Sequence, residues 1–191
     1  MKKLIEICWH GRGGQGAKTA AFLFADVVLS IGKYVQAFPE YGPERMGAPV
    51  QSFNRLSDYP ITLHTSILNP DYIVVLDSSL IKSIVLKGVQ KLVKIIVNTS
   101  FGIFETAKEL NVDPKQVYVV DASRIALDMI GKNIPNMPML GALVKVIKIL
   151  DINNVLDSAK EKLVKKFRHK SEVIEGNLAS IRCAFNEVKN F

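Results

Sequence analysis

Four glycines fall within six positions, Gly11, Gly13, Gly14 and Gly16, in the stretch Ile7–Ala20, ICWHGRGGQGAKTA. An apolar run precedes them and a helix-like run follows. Glycine is costly to order, so a backbone that concentrates it must need an unusual turn or a close approach there. A strand entering a glycine turn that opens a helix is the first unit of an open α/β sheet. This feature limits the chain to a short range of folds.

The turn admits three readings. Gly11, Gly13 and Gly16 fit G-x-G-x-x-G, in which a helix N-terminus offers N–H donors to a pyrophosphate. A nicotinamide dinucleotide also needs an acid at the end of the second strand. That strand ends Gln36-Ala37-Phe38, and Glu40 comes late, beyond Pro39. The second reading is a nucleoside-triphosphate loop, because GRGGQGAKT differs from G-x-x-x-x-G-K-[ST] by the inserted Ala17. One residue turns Lys18 and Thr19 by about 100° round the helix, away from the phosphates. The third is structural: the glycines let the first helix, or another chain, pack closely. It leaves unexplained Arg12 and Gln15 at the tip of the turn, and His10 at the sheet edge where open α/β sheets bind ligands.

Further along, hydrophobic periodicity sets the elements. Strands are expected over Leu4–Trp9, Tyr34–Phe38, Tyr72–Asp77, Lys91–Asn98 and Val117–Asp121, and helices over Ala17–Ile31, Ser79–Leu86 and Phe104–Leu110. Gln51–Leu56 and Ile61–His64 are expected to pair as an edge hairpin across the SDYP turn. Between them and the second strand lies Pro39–Val50, PEYGPERMGAPV, read as a long irregular loop, and such loops are often functional. From Ala122 on the pattern is helical, interrupted at Pro135 and Pro138. The last helix carries an apolar stripe of Ile174, Leu178, Ile181, Phe185 and Val188, which packs on this domain or on a partner subunit. The expected fold is one α/β domain over residues 1–191. Its open, mostly parallel Rossmann-like sheet carries helices on both faces, an edge hairpin and C-terminal helices from about 139 to 189.

Composition narrows the function. The chain of 191 residues is 48% hydrophobic, yet holds no unbroken apolar run of the ~18 residues that span a bilayer. Its N-terminus reads as a strand, not a signal peptide, so a cytoplasmic protein with no membrane partner is expected. Cys8 and Cys183 form no CxxC and no Cys/His cluster, so no metal or iron–sulfur site is expected in this chain. The net charge of +7 is spread out, and the run Lys82, Lys87, Lys91, Lys94 has no interleaved aromatics. That fits a solvated face or an acidic partner, not nucleic acid. His10, His64 and His169 are scattered, and no triad or carboxylate pair has catalytic spacing, so no catalytic residue is assigned. His64 is read as structural, within a strand, and His169 as exposed.

The segments WHGRGGQGAKTAA, GKYVQAFPEYGPERMGAPVQSFNR and NPDYIVVLD, taken together, resemble the gamma subunit of pyruvate and ketoisovalerate ferredoxin oxidoreductases, over about Ile5 to Leu150. Indolepyruvate and 2-oxoglutarate relatives carry a similar glycine loop, but FPEYGPERMGAPV favours the pyruvate or branched-chain type. The resemblance implies a subunit that is inactive alone. Its holoenzyme decarboxylates a 2-oxoacid on thiamine diphosphate and Mg2+, passes electrons through [4Fe–4S] clusters to ferredoxin, and transfers the acyl group to coenzyme A. Those cofactors belong to the alpha, beta and delta subunits. Within this frame, Gly11, Arg12, Gly13, Gly14, Gln15, Gly16 and Lys18 are candidates for contact with coenzyme A phosphates. Glu40, Tyr41, Gly42, Pro43, Glu44, Arg45 and Met46 are candidates for partner contact.

Overall fold

Alternating apolar residues build the centre of the molecule and decide which way each strand faces. The computed structural model describes residues 4–40, 47–83, 92–168 and 170–191. The strands are β1 (Leu4–Arg12), β2 (Tyr34–Glu40), β3 (Pro49–Ser57), β4 (Tyr72–Val75), β5 (Lys94–Asn98), β6 (Val117–Val120) and the short β7 (Lys189–Asn190). The α-helices are α1 (Ala17–Ser30), α2 (Ile103–Leu110), α3 (Ala122–Ile130), α4 (Asn136–Ile147), α5 (Ile152–Lys166) and α6 (Ser171–Glu187). One sheet runs in the order β2-β3-β1-β4-β5-β6-β7. β3 is antiparallel to both β1 and β2, and β7 to β6, while β1, β4, β5 and β6 are mutually parallel.

The two faces are covered unequally. Ile7, Trp9, Val74, Leu76 and Ile96 point into the main core beneath α1, α3, α4, α5 and α6. Ile73, Val75, Ile95 and Val97 point the other way, onto α2 and Ile81. Trp9 anchors α1: its ring meets Phe24 edge-on at 6.5 Å, and its Nε1 donates to Asn54 Oδ1 at 2.7 Å. Asn54 Nδ2 in turn donates to the Ala21 carbonyl at 2.9 Å. α4 and α6 cross closely enough to require glycine at 141, since a Cβ there would lie 2.1 Å from the Ile181 carbonyl oxygen. The stripe on α6 is thereby accounted for within this domain: Ile174 and Ile181 are buried in the main core, with Leu178, Phe185 and Val188 packed against it.

Four expectations need correcting. Ile61–His64 is no strand: both edges of β3 are taken, by β1 and by β2, so the expected pairing with Gln51–Leu56 has no free edge to use. The edge hairpin is β2–β3 instead. Residues 58–70 run irregularly over the second face, where Ile67 caps Cys8, Phe53 and Phe38, and His64 is exposed. The proline-rich loop is shorter than expected, because Pro39 and Glu40 close β2 while Pro49 and Val50 open β3. Pro138 does not interrupt a helix but sits in the first turn of α4, where its missing N–H costs no intrahelical bond. Ser79–Leu86 overlaps a short 3-10 helix, Ser78–Ser83, and has no longer helix among its described residues. Lys87, Lys91 and His169 lie outside the described residues.

Arg55 holds the irregular segment down. Its side chain is 2% exposed, and its Nε donates to Glu6 Oε1 at 2.8 Å. Its Nη2 donates to the Thr65 carbonyl at 2.5 Å, and its guanidinium stacks 5.6 Å from the Phe38 ring. One cation thus joins β1, β2 and residues 58–70. Removing one member of such a buried pair strands the other, at a cost of about 3 kcal/mol. Arg55→Met is therefore expected to lower unfolding stability by about 3 kcal/mol in urea titration. A loss below about 1 kcal/mol would show that the segment is held by its apolar contacts alone.

Candidate functional site

The glycine segment is part strand and part turn. β1 continues through Gly11 and Arg12 because β3 pairs along its whole length, with Gly11 opposite Val50 and Arg12 opposite Pro49. Only then does the chain turn, with Gly14 at φ 98° and Gly16 at φ 83°. Gly16 is the N-cap of α1, and a Cβ there would meet Asn136 Nδ2 at 2.5 Å as well as the left-handed strain. No side chain caps α1 and no acid lies in its first turn, so the positive end of the helix dipole is unopposed there.

The turn and the end of the proline-rich loop form one surface. Gly13 N donates to the Ala48 carbonyl at 2.9 Å, and Gly47 N donates to the Gly13 carbonyl at 3.2 Å. Arg12 adds a third tie, from Nη1 to the Gly47 carbonyl at 2.9 Å. Inside the turn, Gln15 Oε1 accepts from Arg12 N at 2.8 Å and Gln15 N donates to the Arg12 carbonyl at 3.0 Å. The backbone N–H groups of Arg12, Gly13 and Gln15 are thus already engaged within the protein.

Asp77, just beyond β4, is the hub. It accepts from Gln15 Nε2 at 2.7 Å and pairs with Arg12 Nε at 3.3 Å. Ser79 donates to it from N at 3.0 Å and from Oγ at 2.5 Å, while Arg12 Nη2 donates to Ser79 Oγ at 2.8 Å. Burial pulls the Asp77 carboxyl upward, but the hydrogen bonds from Ser79 and Gln15 and the charge of Arg12 outweigh it and hold it below the ordinary range. Sequence reasoning missed this residue as a site member. Its signal was an acid ending a buried strand, in IVVLD, beside a glycine turn.

The remaining candidates distribute as follows. Gly11 packs on Ala17 and Leu76, and Lys18 lies in the first turn of α1, its Nζ 6.0 Å from the Phe22 ring. Glu40 ends β2 and is exposed. Tyr41, Gly42, Pro43, Glu44, Arg45 and Met46 lie outside the described residues, but the strands on either side bring Glu40 and Gly47 to the same edge as the turn. Among the described residues no three His, Cys, Asp or Glu side chains group as metal ligands, and no helix is long and apolar enough to cross a membrane.

His10 and Cys8 share the face opposite α1, with Cys8 Sγ 3.2 Å from His10 Nε2. Burial, then Glu40, pushes the Cys8 thiol well above its usual range, and burial pushes His10 down to about 4. Both are therefore neutral at pH 7. An imidazole that resists protonation when folded but not when unfolded costs stability as pH falls from about 6.5 to about 4. The slope is at most about 1.4 kcal/mol per pH unit. Urea titrations of His10→Gln and the parent between pH 7 and 4.5 should show a shallower decline in the variant. Parallel declines would mean that His10 protonates without penalty. Asp77 adds its own loss only at lower pH, as its carboxylate is protonated.

The family model "Pyruvate ferredoxin/flavodoxin oxidoreductase" matches residues 6–187. The pyruvate/ketoisovalerate oxidoreductases common subunit gamma of Pyrococcus abyssi is 41% identical, covering 98% of this chain and 99% of that one. The crystal structure of pyruvate oxidoreductase subunit PORC from Thermotoga maritima superposes with a TM-score of 0.83 at 40% identity, covering 98% of each chain. The 2-oxoglutarate:ferredoxin oxidoreductase of Magnetococcus marinus, solved with 2-oxoglutarate, coenzyme A and succinyl-CoA bound, shares the fold. Its TM-score is 0.77 at 19% identity, over all of this chain and 32% of that one. With a glycine turn clamped on Asp77, a mostly parallel α/β sheet, and near-complete overlap with gamma-type relatives, this chain belongs to the pyruvate ferredoxin/flavodoxin oxidoreductase family.

Proposed function

We propose that the chain is the gamma component of a multisubunit 2-oxoacid:ferredoxin oxidoreductase. The assembly oxidatively decarboxylates pyruvate or a branched-chain 2-oxoacid to an acyl-CoA and CO2, and reduces ferredoxin. Thiamine diphosphate, Mg2+ and [4Fe–4S] clusters are held by alpha, beta and delta subunits. Two cysteines far apart suit that division, since a [4Fe–4S] cluster takes four thiolates. The reading places the assembly in the cytoplasm. The gamma component completes the assembly beside the reaction centre, with Glu40 and residues 41–46 contacting partner subunits.

The observation that carries this reading is the tie between the glycine turn and Gly47–Ala48. It joins a helix N-terminus, which favours anions, to the segment assigned to partners. We assign the coenzyme A contact to the turn Gly11–Gly16, with Arg12 and Lys18 supplying charge; the N–H groups of Arg12, Gly13 and Gln15 are bonded within the protein, which leaves those of Gly14 and Gly16 to meet the ligand. Arg12 has a second task, since it also anchors the turn to Asp77 and Ser79. The coenzyme A-bound relative supports the choice of ligand by its fold alone.

In the assembled enzyme, Arg12→Ala is expected to raise KM for coenzyme A about tenfold, the equivalent of one charge-assisted contact worth about 1.4 kcal/mol. KM for the oxoacid should change by less than about twofold, a few tenths of a kcal/mol. Steady-state kinetics with each substrate varied in turn makes the comparison. An unchanged KM for coenzyme A would leave the turn a docking surface only.

A further inference from the structure

The sheet separates two sides of the glycine turn. Arg12 follows Glu6, Cys8 and His10 in the strand alternation, on the face opposite α1. Gly14 and Gly16 instead border a cavity of about 580 Å3 on the helical side. That volume is typical of small-molecule sites. The cavity lies between α1, the α3–α4 connection, the end of α5 and the start of α6.

Its rim is cationic. Lys18, Lys132, Lys162, Lys166 and Lys170 line it, and no carboxylate does so among the described residues. Lys162 pairs with Asp26, which stands outside the lining. Lys132 and Lys170 make no ion pair or side-chain hydrogen bond with any described residue. Three helices begin here, α1, α4 and α6, and all three lack a side-chain cap. Elsewhere Asp121 caps α3, Asp151 caps α5, and Glu105 closes the start of α2. The uncapped starts are thus the ones that face a shared space. α1, with no acid in its first turn, adds its dipole to the lysines in favouring negative charge, whereas α6 carries Glu172 in its first turn and α4 offers few free N–H groups, since Asn136 Oδ1 accepts from Met137 N and Pro138 has none.

The floor gives an independent sign of a ligand. Asn136 and Asn177 are 7% and 8% exposed, and both line the cavity. Asn136 Oδ1 accepts from Met137 N, and Asn177 Nδ2 donates to the Val173 carbonyl, which leaves Asn136 Nδ2 and Asn177 Oδ1 without partners among the described residues. Every fully sealed side-chain N or O atom among those residues has a partner. These two atoms therefore keep open surface, and the cavity is what they open into. Such polar groups in an otherwise apolar pocket fix a ligand's orientation. The walls are Leu23, Met137 and Leu163, with Phe22 and Phe167 towards the lysine rim.

We propose that this cavity is a second anion site, which binds an organic phosphate of nucleotide class. Its phosphates meet the lysine rim and the start of α1, and its base or other apolar body lies against the Phe22–Phe167 walls. The site shares Gly14, Gly16 and Lys18 with the proposed coenzyme A contact but not Arg12, and Lys132, Lys170 and Asn177 belong to it alone.

Calorimetric titration of the full chain with ADP, and separately with inorganic pyrophosphate, tests the proposal. ADP should bind saturably at one site, at least tenfold more tightly than pyrophosphate, because only ADP carries the body. The double variant Lys132→Glu, Lys170→Glu should weaken ADP at least tenfold. Both residues are exposed, so thermal unfolding should be unchanged and serves as the folding control. Asn177→Leu, which closes the floor with an apolar side chain, should weaken ADP by a similar factor. Arg12→Ala should weaken ADP less than the lysine reversal does, since Arg12 reaches the cavity only through the turn it anchors. Absence of saturable ADP binding, equal affinity for pyrophosphate, or indifference to the lysine reversals would each overturn the proposal. Weakening by Arg12→Ala alone would assign the nucleotide to the other edge.

Discussion

The carboxylate of Asp77 is the interaction on which the candidate site depends. A turn rich in glycine has no intrinsic shape, and ordering it costs more entropy than ordering any other segment of that length. Asp77 offsets that cost by accepting from Gln15 and Arg12, two side chains on either side of Gly13 and Gly14. Ser79 closes the network from below. β4 brings Asp77 to that spot because it runs parallel to β1 and in register with it, with Val75 beside His10. The shape of the turn is therefore a consequence of strand register.

The same register explains how two separated stretches of sequence become one surface. β3 lies between β1 and β2 and pairs with both. It returns the chain to the turn at Pro49, and Gly47 and Ala48 then bond to Gly13. A partner that approaches this edge meets both segments together. That arrangement suits a component whose task is to complete a larger assembly rather than to carry out chemistry itself.

Much of the fold was legible from sequence, and the failures share a cause. The buried strands YIVV, KIIVN and VYVV, the helix after the turn and the stripe on α6 follow from periodicity, which is local. Ile61–His64 looked like a strand because its composition suits one, but occupancy of the edges of β3 is a tertiary fact. Pro138 looked like a breaker because its position relative to a helix start was not known. The site divides in the same way. The glycines and Arg12 announced themselves, whereas Asp77 joins them only through the β1–β4 pairing, and Asn136 and Asn177 only through packing of helices distant in sequence.

The central claim is that this chain shapes and completes an active centre whose electron chemistry is held by other subunits. Anaerobic affinity purification of the tagged chain from its native cells, followed by 2-oxoacid- and coenzyme A-dependent ferredoxin reduction, tests it most directly. The account predicts that thiamine- and cluster-bearing subunits co-purify, that the complex reduces ferredoxin, and that the chain stripped of them does not. Reduction by the isolated chain, or recovery of the chain with no such subunits and no activity, would contradict it.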